Sequence, residues 1–314
     1  MSSLLQNLRI PAFQAPMFLQ SGPEMVIASC RAGVLGSFPS LNARTVEELE
    51  EWLQQITASI RLEEDAPWAI NLVMHHSNSR REQDLALAIE YNAPLVISSL
   101  GSPRDAIDAV HSYGGLVYAD VTTTRFAKKA IDSGADGLVL VAAGAGGHTG
   151  ELSGFAFVEE VRSFWDGPIV LAGGISSGRA IRAAEVLGAN YAYLGTRFIT
   201  TIESMAVDEY KQMVVDSSGE DIVCSAALTG VKANWLRDSL LKAGYDPDDM
   251  SAPPGRVNIE YSVSDAKRWR DVWAAGHGVG AINEILSISE LVKRLEREYR
   301  LACEGIDTLA SARP

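Results

Sequence analysis

One histidine in this chain stands in a setting suited to chemistry. The stretch Ala143-Gly144-Ala145-Gly146-Gly147-His148-Thr149-Gly150 follows the apolar run Gly137 to Ala142, which reads as a fully buried strand. The spacing puts His148 on a glycine-rich turn just past a strand end. Glycine lets a backbone approach a flat or anionic ligand closely. Imidazole is the group in this stretch that can take or give a proton near neutral pH. The pattern reads as a proton-transfer group beside a cofactor cradle.

Two more glycine turns point to phosphate. Ala172-Gly173-Gly174-Ile175-Ser176-Ser177-Gly178 and Leu194-Gly195-Thr196-Arg197 each close an apolar run. Both offer unhindered backbone N–H groups, and a helix expected from Ser177 would add its N-terminus. A tight turn explains either stretch alone equally well. Two on adjacent strands favour a phosphate site. Near the start, Gln14-Ala15-Pro16-Met17 ends the first apolar run with backbone that could lie against a flat ring. Asn71 could reach a ring edge through its amide. Ser98 and Ser99 are expected at the same mouth.

A repeating strand–helix unit must hold these residues. Apolar runs occur at Ile10 to Pro16, Gly33 to Ser37, Trp68 to Val73, Leu95 to Ser99, Leu116 to Val121, Gly137 to Val141, Ile169 to Ala172 and Tyr191 to Leu194. Helical patterns lie between most of them, at Glu24 to Ala32, Thr45 to Leu62, Arg80 to Tyr91, Pro103 to His111, Thr123 to Ser133, Phe155 to Phe164 and Ser177 to Leu187. Thr45 with Glu48 has the form of a capping box, and Ser102-Pro103 that of a cap with proline at the first helical position. Strands without polar alternation, separated by helices, mean a parallel sheet covered on both faces.

Eight such units predict an α/β fold, a (β/α)8 TIM barrel. A doubly wound open sheet is the alternative, lowered because nothing like GxGxxG follows the first strand. After the eighth run the rhythm changes. Glu203 to Asp216 and Asn234 to Ala243 read as helices, and Ser287 to Leu301 as a last long one. The expected organisation is a barrel of residues 1–202 and 281–314. A small, mainly helical lobe, 203–280, is inserted after the last strand and covers the site.

Composition narrows the partners. The 314 residues are 47% apolar, enough for a sizeable core, and the formal charge of −13 argues against nucleic acid or an anionic membrane. Cys30, Cys224 and Cys303 are far apart and form no CxxC. That suits reduced thiols in a cytoplasmic protein rather than zinc or a disulfide framework. Residues 1–18 lack the pattern of a secretory signal, and no apolar run reaches the roughly 20 residues that span a bilayer.

His75 and His76, adjacent at a strand end, are expected to point in opposite directions and bind metal poorly. No metal is expected, and either ring could touch substrate. His111 reads as a surface residue and His277 as loop packing. Trp235, Trp269 and Trp273 fall in the lobe, which could close over a substrate. A homodimer is the expected assembly, from the frequency of two-fold oligomers.

In order and spacing, Ala15-Pro16-Met17, Asn71, Gly146-Gly147-His148-Thr149-Gly150, Ala172-Gly173-Gly174-Ile175 and Gly195-Thr196-Arg197-Phe198 resemble the nitronate monooxygenase family, formerly called 2-nitropropane dioxygenase. Thr229 to Arg237 and Gly276 to Gly280 resemble its C-terminal portion, so the likeness covers nearly the whole chain. It implies a TIM-barrel flavoprotein that holds FMN without a covalent link. The phosphate would rest on Gly173, Gly174, Gly195 and Thr196. Ala15, Met17 and Asn71 would border the isoalloxazine, with Ala145, Gly146 and Gly147 beside the ring and His148 facing the substrate.

The resemblance further implies oxidation of an alkyl nitronate by O2 to a carbonyl compound and nitrite. His148 would orient the nitronate as a cation or hydrogen-bond donor and deprotonate a neutral nitroalkane. One departure stands out. Better-known members carry a basic residue near the end of the fifth strand, where this chain has Asp120, and an ionised acid cannot donate to a flavin oxygen. The same fold family includes enoyl-thioester and quinone reductases, so hydride transfer from NAD(P)H is the alternative activity. A barrel that binds a phosphorylated ligand without redox chemistry is the third.

Overall fold

The computed structural model describes residues 3–250 and 271–311. Its main sheet consists of β1 (Ala12–Gln14), β2 (Gly36–Pro39), β3 (Trp68–Val73), β4 (Leu95–Ser99), β5 (Leu116–Val121), β6 (Gly137–Val141), β8 (Ile169–Ala172) and β9 (Tyr191–Leu194). These eight strands are parallel and lie in chain order, with β9 beside β1. Gln14 N donates to Leu35 O at 2.8 Å and Leu35 N to Ala12 O at 3.4 Å, which brings β1 onto β2 and closes the ring.

Helices α1 (Pro23–Ala32), α2 (Val46–Ser59), α3 (Arg81–Glu90), α4 (Arg104–His111), α5 (Thr124–Asp132), α6 (Gly154–Arg162) and α7 (Gly178–Leu187) follow the first seven barrel strands. After β9 come α8 (Thr196–Ile199) and α9 (Asp208–Asp216). The last helix, α11 (Ile288–Ser311), packs between α7 and α1 and completes the outer layer. The fold is a TIM barrel, as expected.

The strands lack polar alternation because both of their faces are buried. One face fills the barrel with Phe13, Leu35, Leu95, Ile97, Tyr118, Val139 and Val170. The other meets the helices: Ile70, Leu72 and Val96 pack with Leu49, Leu53 and Ile56 of α2. Local capping fixes several helix starts. Thr45 Oγ1 accepts from Glu48 N at 3.1 Å, while the Glu48 carboxylate accepts from Arg44 N at 2.6 Å, one residue ahead of a full capping box. Pro103 sits at the cap itself, and α4 starts at Arg104.

The stretch after β9 departs from expectation. The helix expected from Asn234 begins as a strand, β11 (Ala233–Leu236), before α10 (Arg237–Lys242). β11 pairs antiparallel with β10 (Ile222–Ser225) on one side and with β7 (Gly147–His148) on the other. The segment therefore also contributes two strands, beside its helices, to a three-stranded sheet that β7 completes. Backbone pairing offered from far away in sequence overrides the local pattern. Trp235 is buried there against Leu228, Leu240 and Val272. Trp269 lies outside the described residues. No helix among the described residues is long and apolar enough to cross a membrane.

Candidate active site

A cavity of about 990 Å³ opens at the carboxyl ends of the barrel strands. His148, Ala15, Met17, Asn71, Ala145, Gly146, Gly147, Gly173, Gly174, Gly195 and Thr196 all line it. Ser99 lines it too. Ser98 does not, because strand alternation turns it away from the barrel interior, and it is buried there.

The histidine loop is held from several sides. Gly144 (φ +89°) and Gly147 (φ +65°) occupy the left-handed region that favours glycine. Thr149 Oγ1 donates to Ala142 O at 3.2 Å, and Thr149 N to Lys232 O at 3.0 Å. The β7–β11 pairing sets Ala233 opposite His148, and the buried Asn234 donates from Nδ2 to Ala145 O at 2.7 Å. Gly146 meets a steric demand of the chain itself besides facing the cavity. A Cβ there would lie 2.8 Å from Gly276 N and 3.0 Å from Thr196 Oγ1, so the close approach is to another part of the chain. His277 is exposed and packs on Gly144, with its N–H donating to Gly144 O at 2.9 Å.

Burial pushes the His148 imidazole down to about 4. Desolvation disfavours the charged ring, so at neutral pH His148 is an uncharged base and hydrogen-bond donor. Of the two roles expected from the sequence, cation or hydrogen-bond donor, this environment favours the uncharged donor for the resting ring.

The two glycine turns are open at the cavity, and the helix start beside one of them is not. Gly173 (φ +125°) and Gly174 (φ +70°) are both left-handed, and a Cβ on Gly174 would meet nothing within 4 Å. Gly195 abuts Met17 and Ala15, which joins the ends of β9 and β1 at the mouth. The start of α7, however, is already engaged. Ser177 Oγ accepts from Ala180 N at 3.2 Å, and the Glu298 carboxylate accepts from Gly178 N at 2.8 Å. The Thr196 hydroxyl likewise accepts from Gly276 N at 2.9 Å. Free backbone N–H groups at an anion site would come from the turns, not from this helix end.

The β1 turn is fixed by side chains. Asn42 Nδ2 donates to Met17 O at 2.9 Å and to Ser21 O at 2.7 Å, and Met17 N donates to Ser21 Oγ at 3.0 Å. Asn71 spends its amide hydrogens on Ile97 O, at 3.1 Å, and on Ser99 Oγ, leaving its carbonyl oxygen for the cavity. Ser99 Oγ donates to Asp120 Oδ2 at 2.9 Å. Burial raises the Asp120 carboxyl to about 7, opposed by the Ser99 hydrogen bond.

His75 lines the cavity beside these groups. Its ring lies 4.1 Å from that of His76 rather than pointing the opposite way, because β3 stops at Val73 and strand alternation ends there. His111 is exposed and hydrogen-bonds Asp136 at 2.8 Å. No cluster of three or more metal-ligating side chains lies among the described residues.

Sequence reasoning missed several lining residues. Gly276 and Gly278 were singled out only through resemblance, and Tyr193 and Tyr210 not at all; all four face the cavity. A Cβ on Gly278 would lie 2.3 Å from Ser176 Oγ, so this glycine seats the return segment against the Gly174 turn. The signal for the tyrosines was available: two apolar-looking positions with a hydroxyl, at a strand end and on a helix after it.

The nitronate monooxygenase family model matches residues 2–298. The chain belongs to the nitronate monooxygenase family. Members are flavin-dependent oxidoreductases, and this chain is an enzyme of that kind. A nitronate monooxygenase of Paraburkholderia phytofirmans is 26% identical over 96% of this chain and 95% of its own length. A Rhodococcus jostii protein named (3aS,4S,5R,7aS)-5-hydroxy-7a-methyl-1-oxo-octahydro-1H-indene-4-carboxyl-CoA dehydrogenase is 28% identical over 76% of this chain and 66% of its own length, just under two thirds. The solved nitroalkane oxidase of Streptomyces ansochromogenes superposes with a TM-score of 0.84 at 24% identity, covering 97% of this chain and 100% of that one. This last likeness is one of fold.

Proposed function

We propose that this member of the family binds FMN and oxidises alkyl nitronates with O2 to carbonyl compounds and nitrite. The observation that carries the reading is one cavity lined both by two open glycine turns and by the desolvated His148. The backbone of Gly173, Gly174, Gly195 and Thr196 would hold the phosphate. Ala15, Met17 and Asn71 would border the isoalloxazine, and Ala145, Gly146 and Gly147 would lie beside it. The open space at Gly174 and the left-handed turn there suit an anion approaching backbone N–H groups. Bound there, FMN supplies electron acceptance from the substrate and the reaction with O2.

The chain's own residues would do the rest. Neutral His148 takes the α-proton of a nitroalkane and, once protonated, holds the resulting nitronate by charge and hydrogen bond. In the nitronate's absence burial returns it to the uncharged form. The described residues of the segment after β9 cover the site, since Tyr210, Ala274, Gly276 and Gly278 complete the cavity wall.

Oxygen uptake and nitrite release with an alkyl nitronate test this reading. His148→Asn should lower turnover of a neutral nitroalkane by about 10²–10⁴-fold, the usual worth of a general base, and affect a preformed nitronate less. No oxygen uptake by an FMN-loaded protein with any alkyl nitronate would remove the assignment.

A second reading, NAD(P)H-dependent reduction of enoyl thioesters or quinones, has its own support. The cavity is at the upper end for ligand pockets and extends past the mouth to Arg104 and to Phe126, Lys129 and Ser133 near α5, with room for a long acyl chain. The Rhodococcus relative is itself named for a CoA thioester. Anaerobic bleaching of the bound flavin by NAD(P)H would select this reading.

A further inference from the structure

Asp120 has no task in the nitronate reading. Ser99, itself held by Asn71, donates from Oγ to Asp120 Oδ2 at 2.9 Å. The other carboxyl oxygen, Oδ1, is sealed from solvent and has no hydrogen-bond partner among the described residues. The hydroxyl of Tyr193, on β9, is likewise sealed from solvent; it lies beside the Ser37 hydroxyl and within electrostatic reach of Asp120. The neighbouring Ser37 hydroxyl gives its own proton to Gln14 O at 2.6 Å. Buried polar groups are ordinarily paired. An orphaned carboxyl oxygen beside a buried phenol, on two residues that line one cavity, marks a place where a bound molecule supplies the partner.

The surroundings decide which form of the carboxyl is present. Of the titratable side chains that line the same cavity, namely His75, Arg104, Lys129, Asp132, His148 and Tyr193, none forms an ion pair with Asp120 among the described residues. Tyr210 also lines it, and its hydroxyl is engaged with Ala274 O at 2.5 Å. β4 brings Ser99 to Asp120, and β6 sets the apolar Val139 opposite it. With no cation to balance it, a carboxylate is disfavoured here. A neutral carboxyl keeps Oδ2 as acceptor for Ser99 and gives Oδ1 a proton to donate.

We propose that Asp120 binds the flavin as a neutral acid, donating from Oδ1 to the heteroatom-rich edge of the isoalloxazine beside the Tyr193 hydroxyl. This rests on the FMN reading above. It also removes the objection that an acid cannot donate to a flavin oxygen, which holds only for the ionised form. A neutral donor at that edge favours the reduced flavin, which gains negative charge there. An ionised Asp120 opposes it.

The test uses FMN-loaded full-length protein with Asp120 intact, Asp120→Asn and Asp120→Leu. FMN affinity is read by fluorescence quenching, and the flavin midpoint potential is measured at pH 6 and pH 9. Asparagine keeps an uncharged donor, so at pH 6 it should match the wild type in both readouts. Leucine should weaken FMN binding about ten-fold or more, as expected for a lost buried hydrogen bond. At pH 9 the wild-type potential should fall below that of the asparagine variant, because only the wild type acquires a charge.

Equal potentials of wild type and Asp120→Asn at pH 9 would overturn the proposal. So would an Asp120→Leu protein that binds FMN as tightly as the wild type. A wild-type protein that takes up no FMN would instead overturn the flavin reading itself. Wild-type uptake with indifferent variants overturns this proposal alone.

Discussion

Replacing His148 with asparagine should remove a pH-dependent component of stability from the flavin-free protein. Burial holds the imidazole at about 4, against 6.5 for an unperturbed histidine. Between those values the unfolded chain binds a proton that the fold refuses. A depressed histidine therefore contributes its full stability above pH 6.5 and loses it as pH falls through that window. At roughly 1.4 kcal/mol per pH unit, the loss reaches about 2 kcal/mol at pH 5 and about 3 kcal/mol below pH 4. Asp120 works in the opposite sense. Its carboxyl is raised to about 7, so it favours folding increasingly as pH falls from 7 towards 4. That contribution is common to both proteins and cancels in their difference. Urea denaturation at pH 7.5 and pH 5 measures the difference directly. The wild type should lose about 2 kcal/mol more than His148→Asn between the two conditions. Equal losses would mean that the imidazole is hydrated in the fold, and the argument for an uncharged base would fall with it.

Two further substitutions probe the support of the histidine loop. Asn234→Ala deletes the 2.7 Å hydrogen bond to Ala145 O in a buried position. It should cost about 1–3 kcal/mol and lower turnover, and an unchanged denaturation midpoint would show that the bond is dispensable. Gly276→Ala places a Cβ 2.4 Å from Gly144 O and 2.8 Å from Gly146 N, both rigid backbone atoms. Overpacking of this kind costs about 1–3 kcal/mol, so thermal unfolding should start earlier; a wild-type melting curve would contradict the tight crossing.

The barrel was legible because its strands are apolar on both faces, a pattern that helix-covered parallel strands require. The glycine turns at Gly173-Gly174 and Gly195 were legible because left-handed or open backbone leaves a local mark. What escaped was set by distance along the chain. β7 has two residues, Gly147 and His148, and no periodicity can announce a strand that short. Its partner β11 looked like the start of a helix, because nothing local to Asn234 records the backbone waiting beside it. The start of α7 looked open to an anion because Glu298, which fills it, lies in the last helix. Asp120 was visible as a departure from its relatives. Its neutral character was not, since that depends on burial by residues far from it in sequence.

The pairing of β7 with β11 has a consequence for the order in which the molecule acquires its chemistry. All eight barrel strands and both glycine turns precede β11 in the chain. A nascent chain can therefore close its barrel while the partner of the histidine segment is still unsynthesised. Asn234, and later the Ala275-Gly276 crossing, arrive to lock that segment only after the ring of strands has been made, and α11 follows both to complete the outer layer. A chain interrupted between β9 and β11 would keep the phosphate turns but lack an anchored base.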